Sequence, residues 1–524
     1  MQRCKILYTP LDERPCNYKY PQMIAALAPE LELVVPQPNL LGNKKRPANT
    51  ERLWSWIQTQ AGSCQAIILS IEMLVYGGLL PSRLHQQSQL NLEARLQRLK
   101  ILKLNHPNLL IFASSLIMRT PRYNSSEEEP HYYAKQGKNI FRWGWLRDRQ
   151  QRSELSLKES KELESLNALI PNVDLRDYRQ RRQKNIEVNK MAIDLVDNGI
   201  IDFLAIPQDD SARYGFTALD QKQVVDRIIE RRLQQQVHLY PGADEVGCTL
   251  LARAYLQLGK KSCRFYPLIS SVRGELIVPL YEDRPLGESL KSQILAAGAH
   301  IATEQDQADV VLAINSAGKV MQESWDQRRK DITYSSYRNL RFFADHIRQL
   351  CDAGKSVAIA DVAFANGGET ELIELLDDLS LLDHILAYGG WNTSCNTLGS
   401  VIATAILGQG TDDIEAIAFN KIHHLIEDWA YQAIVRMQMV KDFLPTVGAT
   451  YYNFASQDAT IHEEIARRLM MQWQQTLRSS FQDWSIEELK VSTPWNRMFE
   501  IDLSFRLSTK TSDPLPASAP SALP

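Results

Sequence analysis

Short aliphatic and β-branched runs recur along the chain, each stopping abruptly at Gly, Pro or polar residues and each followed by a stretch with helical spacing. They predict strands at Lys5–Thr9, Leu31–Val35, Ala66–Ser70, Leu109–Ser115, Ile200–Ile206, Val237–Tyr240, Phe265–Ser270, Val310–Ile314, Val357–Ala360 and His384–Ala387. Several runs do not alternate polar with apolar positions, which is the pattern of strands buried on both faces of a parallel sheet. Between them, the spacing predicts helices around Leu92–Leu104, Leu175–Asp197, Asp220–Gln235, Glu245–Leu258 and Tyr337–Ala353. This rhythm predicts an α/β catalytic region over residues 1–410, built on a parallel sheet. A TIM-barrel-like arrangement is the favoured expectation, because polar clusters follow strand after strand; two doubly wound α/β lobes are the alternative.

Other segments depart from the rhythm. Tyr123–Ser153 is rich in Tyr, Trp, Arg, Glu and Asn without a clean period, and predicts a long, lid-like insertion. From Thr411 to about Gln482 the sequence turns strongly helical, carrying Trp429, Tyr431 and Trp473 among charged positions with Trp484 just beyond, and residues 411–505 are predicted to form a helical appendage. The Pro-, Ser- and Ala-rich residues 511–524 have the composition of a disordered tail.

Composition narrows the function classes. With 44% hydrophobic and 23% charged residues in 524, the chain has an ordinary globular core. A net charge of -3 supplies no field for polyanions or anionic lipid, so nucleic acid is not an expected partner, and the basic run Arg179–Lys184 reads as a solvated helix face. The first apolar run is too short for a signal sequence, and no window approaches the roughly 18 apolar residues of a membrane span. The expectation is a cytoplasmic protein without membrane contact. Cys4, Cys16, Cys64, Cys248, Cys263, Cys351 and Cys395 are scattered without metal or redox spacing, and the histidines form no zinc motif. A nucleophile elbow, a P-loop and a dinucleotide fingerprint are all missing, so no cofactor is expected.

Ligands of parallel α/β folds gather at the carboxyl ends of strands, so those positions carry the candidate chemistry. Asp12 and Arg14 follow the first strand, Tyr76 the third and Arg119 the fourth. The sharpest cluster is Gln208-Asp209-Asp210, with Tyr214-Gly215 just after it. Adjacent carboxylates repel, so burial raises the proton affinity of at least one, leaving one ionised group beside one acid, as general acid catalysis requires. A helix cap next to a solvated Asp accounts for the same dipeptide. Asp244 and Glu245 follow Gly242 and read either as the start of a helix or as contacts to a substrate hydroxyl. Asp361 and Asn366 come after another strand, and then Trp391, Asn392 and Asn396 share one Gly-bearing segment. Carboxamides donate and accept together and an indole covers the apolar side of a sugar ring, so a small-molecule or carbohydrate substrate is expected; a Gly-rich turn over a core Trp is the alternative. A Mg²⁺ or Ca²⁺ site drawn from Asp12, Asp209, Asp244 and Asp361 is a second chemical reading, and non-catalytic sugar or metabolite binding a third.

Taken as a set, the Pro-Leu-Asp-Glu-Arg-Pro start, Tyr76-Gly77-Gly78, Gln208-Asp209-Asp210, Tyr214-Gly215, Gly242-Ala243-Asp244-Glu245, Asn366-Gly367-Gly368 and Gly390-Trp391-Asn392-Thr393 resemble a bacterial family of unknown function over residues 1–505. Asp209-Asp210 and the later Trp391-Asn392 with Asn396 are also similar to the O-GlcNAcase-type β-N-acetylglucosaminidases, which are TIM barrels. That second resemblance implies a glycoside hydrolase with substrate-assisted chemistry. Asp209 would orient a 2-acetamido group, Asp210 would protonate the leaving oxygen, and Asn392 and Asn396 would hold hydroxyls.

Overall fold

The structure is a computed structural model that describes residues 3–509; the tail expected over 511–524 lies outside the described residues. The first sheet contains β1 (Cys4–Thr9), β2 (Leu31–Val34), β3 (Ala66–Ser70), β4 (Leu110–Ser114), β5 (Phe203–Gln208) and β6 (Val237–Pro241), all parallel and ordered β2-β1-β3-β4-β5-β6. The second begins with β7 (Arg264–Ile269), β8 (His300–Ile301) and β9 (Val310–Ser316). After a short β10 (Gln322–Glu323) come β11 (Val357–Val362), β12 (Phe364–Ala365) and β13 (Ala387–Gly389), giving the parallel order β13-β11-β9-β7-β8. Every residue of β3, β9 and β11 is buried, which explains why these runs do not alternate.

The barrel expectation gives way to the two-lobed alternative. In each sheet the second strand pairs on the opposite side of the first from the third, so the chain winds outward in two directions and the sheet stays open. The lobes nevertheless share one core. Ile6 and Phe112 of the first sheet, Phe265, Leu312 and Ala358 of the second, and the helices Val246–Gly259 and Ser394–Gly408 belong to a single buried cluster.

Two further expectations are corrected. Within the segment read as a lid, Tyr133–Gln151 is a helix that packs on Tyr178 and Phe216. Its buried stripe is Tyr133, Gly137, Ile140 and Gly144, a helical period whose alternate members are glycines and so carry no hydrophobic signal. A Cβ on Gly144 would lie 2.5 Å from the Phe216 ring, so the close approach requires glycine. The C-terminal region is helical through Asp458–Thr476, but then forms an antiparallel hairpin of β14 (Trp484–Ser492) and β15 (Asp502–Thr509). Among the described residues, no helix is long and apolar enough to cross a membrane.

Candidate functional site

Strand ends of both sheets open onto one cavity of about 220 Å³. Arg14 comes from the turn after β1, and Leu79 and Arg83 from the helix Leu79–Leu84 that follows β3. Arg119, Tyr123 and Glu128 follow β4, Asp209 and Asp210 follow β5, and Ala243 and Asp244 follow β6. The second lobe contributes Tyr281, Asn366 and Asn392, and the C-terminal region Tyr452, Arg497 and Phe499.

Local chemistry explains how these side chains are held. Asp12 clamps Arg14, accepting from its backbone N–H at 3.0 Å and from Nε and Nη2 at 2.9 and 2.7 Å. The same guanidinium donates to Asp244 at 2.5 Å and to Glu500 at 3.3 Å, and Asn17 bridges Asp12 and Asp244 at 3.0 Å each. Planar bidentate pairing of this kind fixes orientation as well as charge. Gly242 adopts φ +131°, and a Cβ there would fall 2.3 Å from the Glu245 carboxylate, so the turn that presents Asp244 requires glycine. Asn366 and Asn392 both take left-handed backbone, φ 58° and 62°, which Asn tolerates better than most residues, and the Asn366 N–H donates to the Asn392 carbonyl at 2.8 Å.

The adjacent carboxylates have different partners. Asp209 accepts from Arg83 at 2.5 Å, whereas Asp210, itself at φ 41°, meets Arg119 at 3.3 Å. Burial, and after it the neighbouring charge of Asp209, push the Asp210 carboxyl up to about 6. Arg119 also holds Glu128 and Glu129 at 3.0 Å each. Burial opposes ionisation of Glu128, but Arg119, Arg497 and Arg83 outweigh it and bring its carboxyl below the ordinary range. A continuous ion network therefore runs from Asp12 through Arg14, Glu500 and Arg497 to Glu128, and on to both aspartates of the pair.

Of the residues singled out from the sequence, Arg14, Arg119, Asp209, Asp210, Asp244, Asn366 and Asn392 line the cavity, and Asp12 lies directly behind Arg14. Tyr76 instead packs its ring on His85 at 4.7 Å, and Tyr214 bonds Glu154 at 2.6 Å beside Trp145. Glu245 accepts from Gln293 and the Ala243 N–H at 2.8 and 2.9 Å, and burial pushes it up to about 8. Asp361 sits in a separate buried cluster, accepting from Asn315 at 2.8 Å and from the Glu369 N–H at 2.7 Å; burial, then Glu369, push it up to about 7. Trp391 is a core residue packed between Tyr20 and Phe499. Asn396 acts at one remove, its carboxamide oxygen accepting from the backbone N–H groups of Ala243 and Asp244 at 3.2 and 3.1 Å across the lobes.

Sequence reasoning missed Arg83, Glu128, Tyr123, Tyr281, Tyr452, Arg497 and Phe499. Tyr123 and Glu128 were hidden in the segment read as a lid, and the others lie in no strand-end motif. The available signal was charge: Arg83 is a buried arginine in an apolar helix, and a buried cation demands carboxylates near it. Among the described residues, no group of three or more His, Cys, Asp or Glu side chains is placed to hold a metal ion. Arginines instead stand between the carboxylates, with Arg14 joining Asp12 to Asp244 and Arg83 taking Asp209.

Comparison with known proteins adds little on activity. No curated protein matches the chain. The solved structures similar to it include the carboxyl transferase domain of Rhizobium etli pyruvate carboxylase, with 3-bromopyruvate (11% identity, TM-score 0.18, 90% of this chain against 61% of that one) and with pyruvate (10%, 0.17, 91% against 62%). The chain thus spans less than two thirds of those structures, and TM-scores this low carry no argument about fold or chemistry. The family model described as "Protein of unknown function (DUF4127)" matches residues 6–504, and the chain belongs to that family.

Proposed function

We propose that the protein is a glycoside hydrolase-like enzyme with Asp210 as its general acid, acting on a small polyhydroxylated substrate. The observation that supports this most is the position of Asp210: a carboxyl that binds its proton up to about pH 6 lines a cavity whose other polar side chains are paired arginines, carboxylates, two asparagines and three tyrosines. Each cavity guanidinium already has a carboxylate partner, so among the described residues no free cation lines the cavity to attract an anionic group. Donors and acceptors set side by side suit vicinal hydroxyls, which both give and take hydrogen bonds.

In this reading Asp210 delivers its proton to the leaving oxygen as the glycosidic bond breaks. In the substrate-assisted form the carbonyl oxygen of a 2-acetamido group bonds to the anomeric carbon in that step, and water then displaces it while giving a proton back to Asp210. Assistance by a 2-acetamido group is the narrower form of the proposal. It requires Asp209 to share itself between Arg83 and the acetamido N–H, and it proceeds without an indole platform, since Trp391 is buried.

A panel of aryl glycosides that includes GlcNAc and GalNAc, assayed on wild type and Asp210→Asn with and without EDTA, tests the reading. The expected result is turnover that chelation leaves intact and that Asp210→Asn lowers by about 10²–10⁴-fold, the usual worth of a general acid. No turnover of any glycoside refutes it; loss on chelation favours a metal-dependent hydrolase, and sugar binding without turnover favours a binding protein.

A further inference from the structure

Two large aromatic side chains of the cavity stay open to solvent: Tyr123 is 42% exposed and Tyr452 is 43% exposed, while the remaining lining includes buried charges such as Arg14 and Arg83. They therefore stand at the mouth rather than the floor. Tyr123 comes from the segment after β4 and Tyr452 from the turn ahead of the helix Asp458–Thr476, so separate parts of the chain bring a ring to the same opening. Tyr452 is braced by Tyr451, whose ring meets it edge-on at 4.8 Å. Tyr123 is tied to the acid itself: its hydroxyl lies 3.5 Å from Arg119, which holds Asp210.

The order Tyr123, Arg119, Asp210 gives the rim a chemical meaning. A general acid works on the leaving-group side of the bond it cleaves, so whatever lies outward past Asp210 contacts the leaving group. Half-exposed phenol rings offer flat apolar faces with a wet polar tip, which favour a second ring, either a sugar or an aromatic aglycone. Glycine or small polar residues would serve equally well at a mouth that admits only a monosaccharide.

Resting on the glycosidase reading above, we infer that Tyr123 and Tyr452 form an outer subsite for the leaving group, and that the natural substrate carries a second ring there, as in a disaccharide or an aryl glycoside. Stacking on an aromatic side chain changes affinity by about two- to tenfold.

The test measures dissociation constants for methyl and 4-nitrophenyl glycosides of the preferred sugar by titration calorimetry, in the Asp210→Asn background so that the ligands stay intact. The 4-nitrophenyl glycoside should bind at least fivefold tighter than the methyl glycoside. Tyr123→Ala or Tyr452→Ala should weaken the nitrophenyl ligand several-fold more than the methyl one, and Tyr123→Phe, which keeps the ring, should retain the preference. Equal binding of the two glycosides, which needs no tyrosine variant to read, overturns the subsite while leaving the sugar reading standing. A preference that survives both alanine substitutions also overturns it. Failure of every glycoside to bind removes the sugar reading and the subsite with it.

Discussion

Replacing Asp209 with Asn should lower the pH at which Asp210 loses its proton. Asp210 is pushed up to about 6 first by burial and then by the negative charge of its neighbour, with Arg119 and Arg83 pulling the other way. Consecutive Cα atoms are about 3.8 Å apart, so the two carboxylates stand on the order of 6 Å from one another. Since the Asp210 side chain is 32% exposed, an effective dielectric of about 40 is appropriate, and the repulsion is roughly 1.4 kcal/mol, or about one pH unit. The variant also frees Arg83, which ion-pairs with Asp209, to act more strongly on Asp210 in the same direction. Carbon NMR of protein labelled at the aspartate carboxyl, with Asp210→Asn identifying the resonance, follows the titration without a substrate. The expected midpoints are about 6 in wild type and about 5 in Asp209→Asn. A wild-type midpoint in the ordinary aspartate range, or an unchanged midpoint in the variant, refutes the reasoning; so does an upward move, which would mean that burial changed rather than charge.

Other consequences can be measured independently of activity. Arg338→Met should destabilise the fold by about 3–5 kcal/mol in denaturant titration, because it leaves the buried Glu369 with Lys330, at 3.5 Å, in place of a bidentate guanidinium, and adding Glu369→Leu should restore much of the loss. Glu245 and Asp361 have folded-state proton affinities raised to about 8 and about 7, so they favour the folded chain fully below the ordinary carboxylate range, and that contribution is lost as pH climbs from there to those values. The Tm should accordingly fall as pH rises from about 4–5 to about 8 and level off above that, and fall less in Glu245→Gln. Gly144→Leu should cost about 1–3 kcal/mol by overpacking against Phe216, read as a lower denaturation midpoint with an unchanged slope.

The strands were legible because burial on both faces writes them as unbroken apolar runs. Ala66–Ser70 was read at its observed limits, and most of the other strands within a residue or a few. How the strands are ordered was not legible: a barrel and a doubly wound sheet share the same βα rhythm, and which side of β1 receives β2 is decided by packing that leaves no local mark. The hairpin of β14 and β15 escaped because its faces are largely intermediate or exposed, so its alternation carries little contrast. At the site, the strand-end rule located the aspartate pair, Arg14, Arg119, Asp244 and the two asparagines. It failed for Trp391, since a residue type suited to sugar stacking is equally suited to a core, and only contacts separate the two. It failed also for Arg83 and Arg497, whose role depends on carboxylates distant in sequence.

Glu128 ties these parts of the chain together. Its carboxylate receives Arg83 from the helix after β3, Arg119 from the loop after β4 and Arg497 from the loop between β14 and β15. A carboxylate buried alone would pay several kcal/mol to stay ionised, and three guanidiniums are what allow this one to remain charged. One of the three comes from the C-terminal hairpin, so docking of that hairpin and the charge state of the cavity are coupled. Arg119 shares itself between Glu128 and Asp210, which extends the coupling to the proposed acid: a change at Arg497 alters how much of Arg119 is left for Asp210. The C-terminal region, which the sequence pattern separates from the α/β lobes, is thereby part of the site rather than an appendage to it.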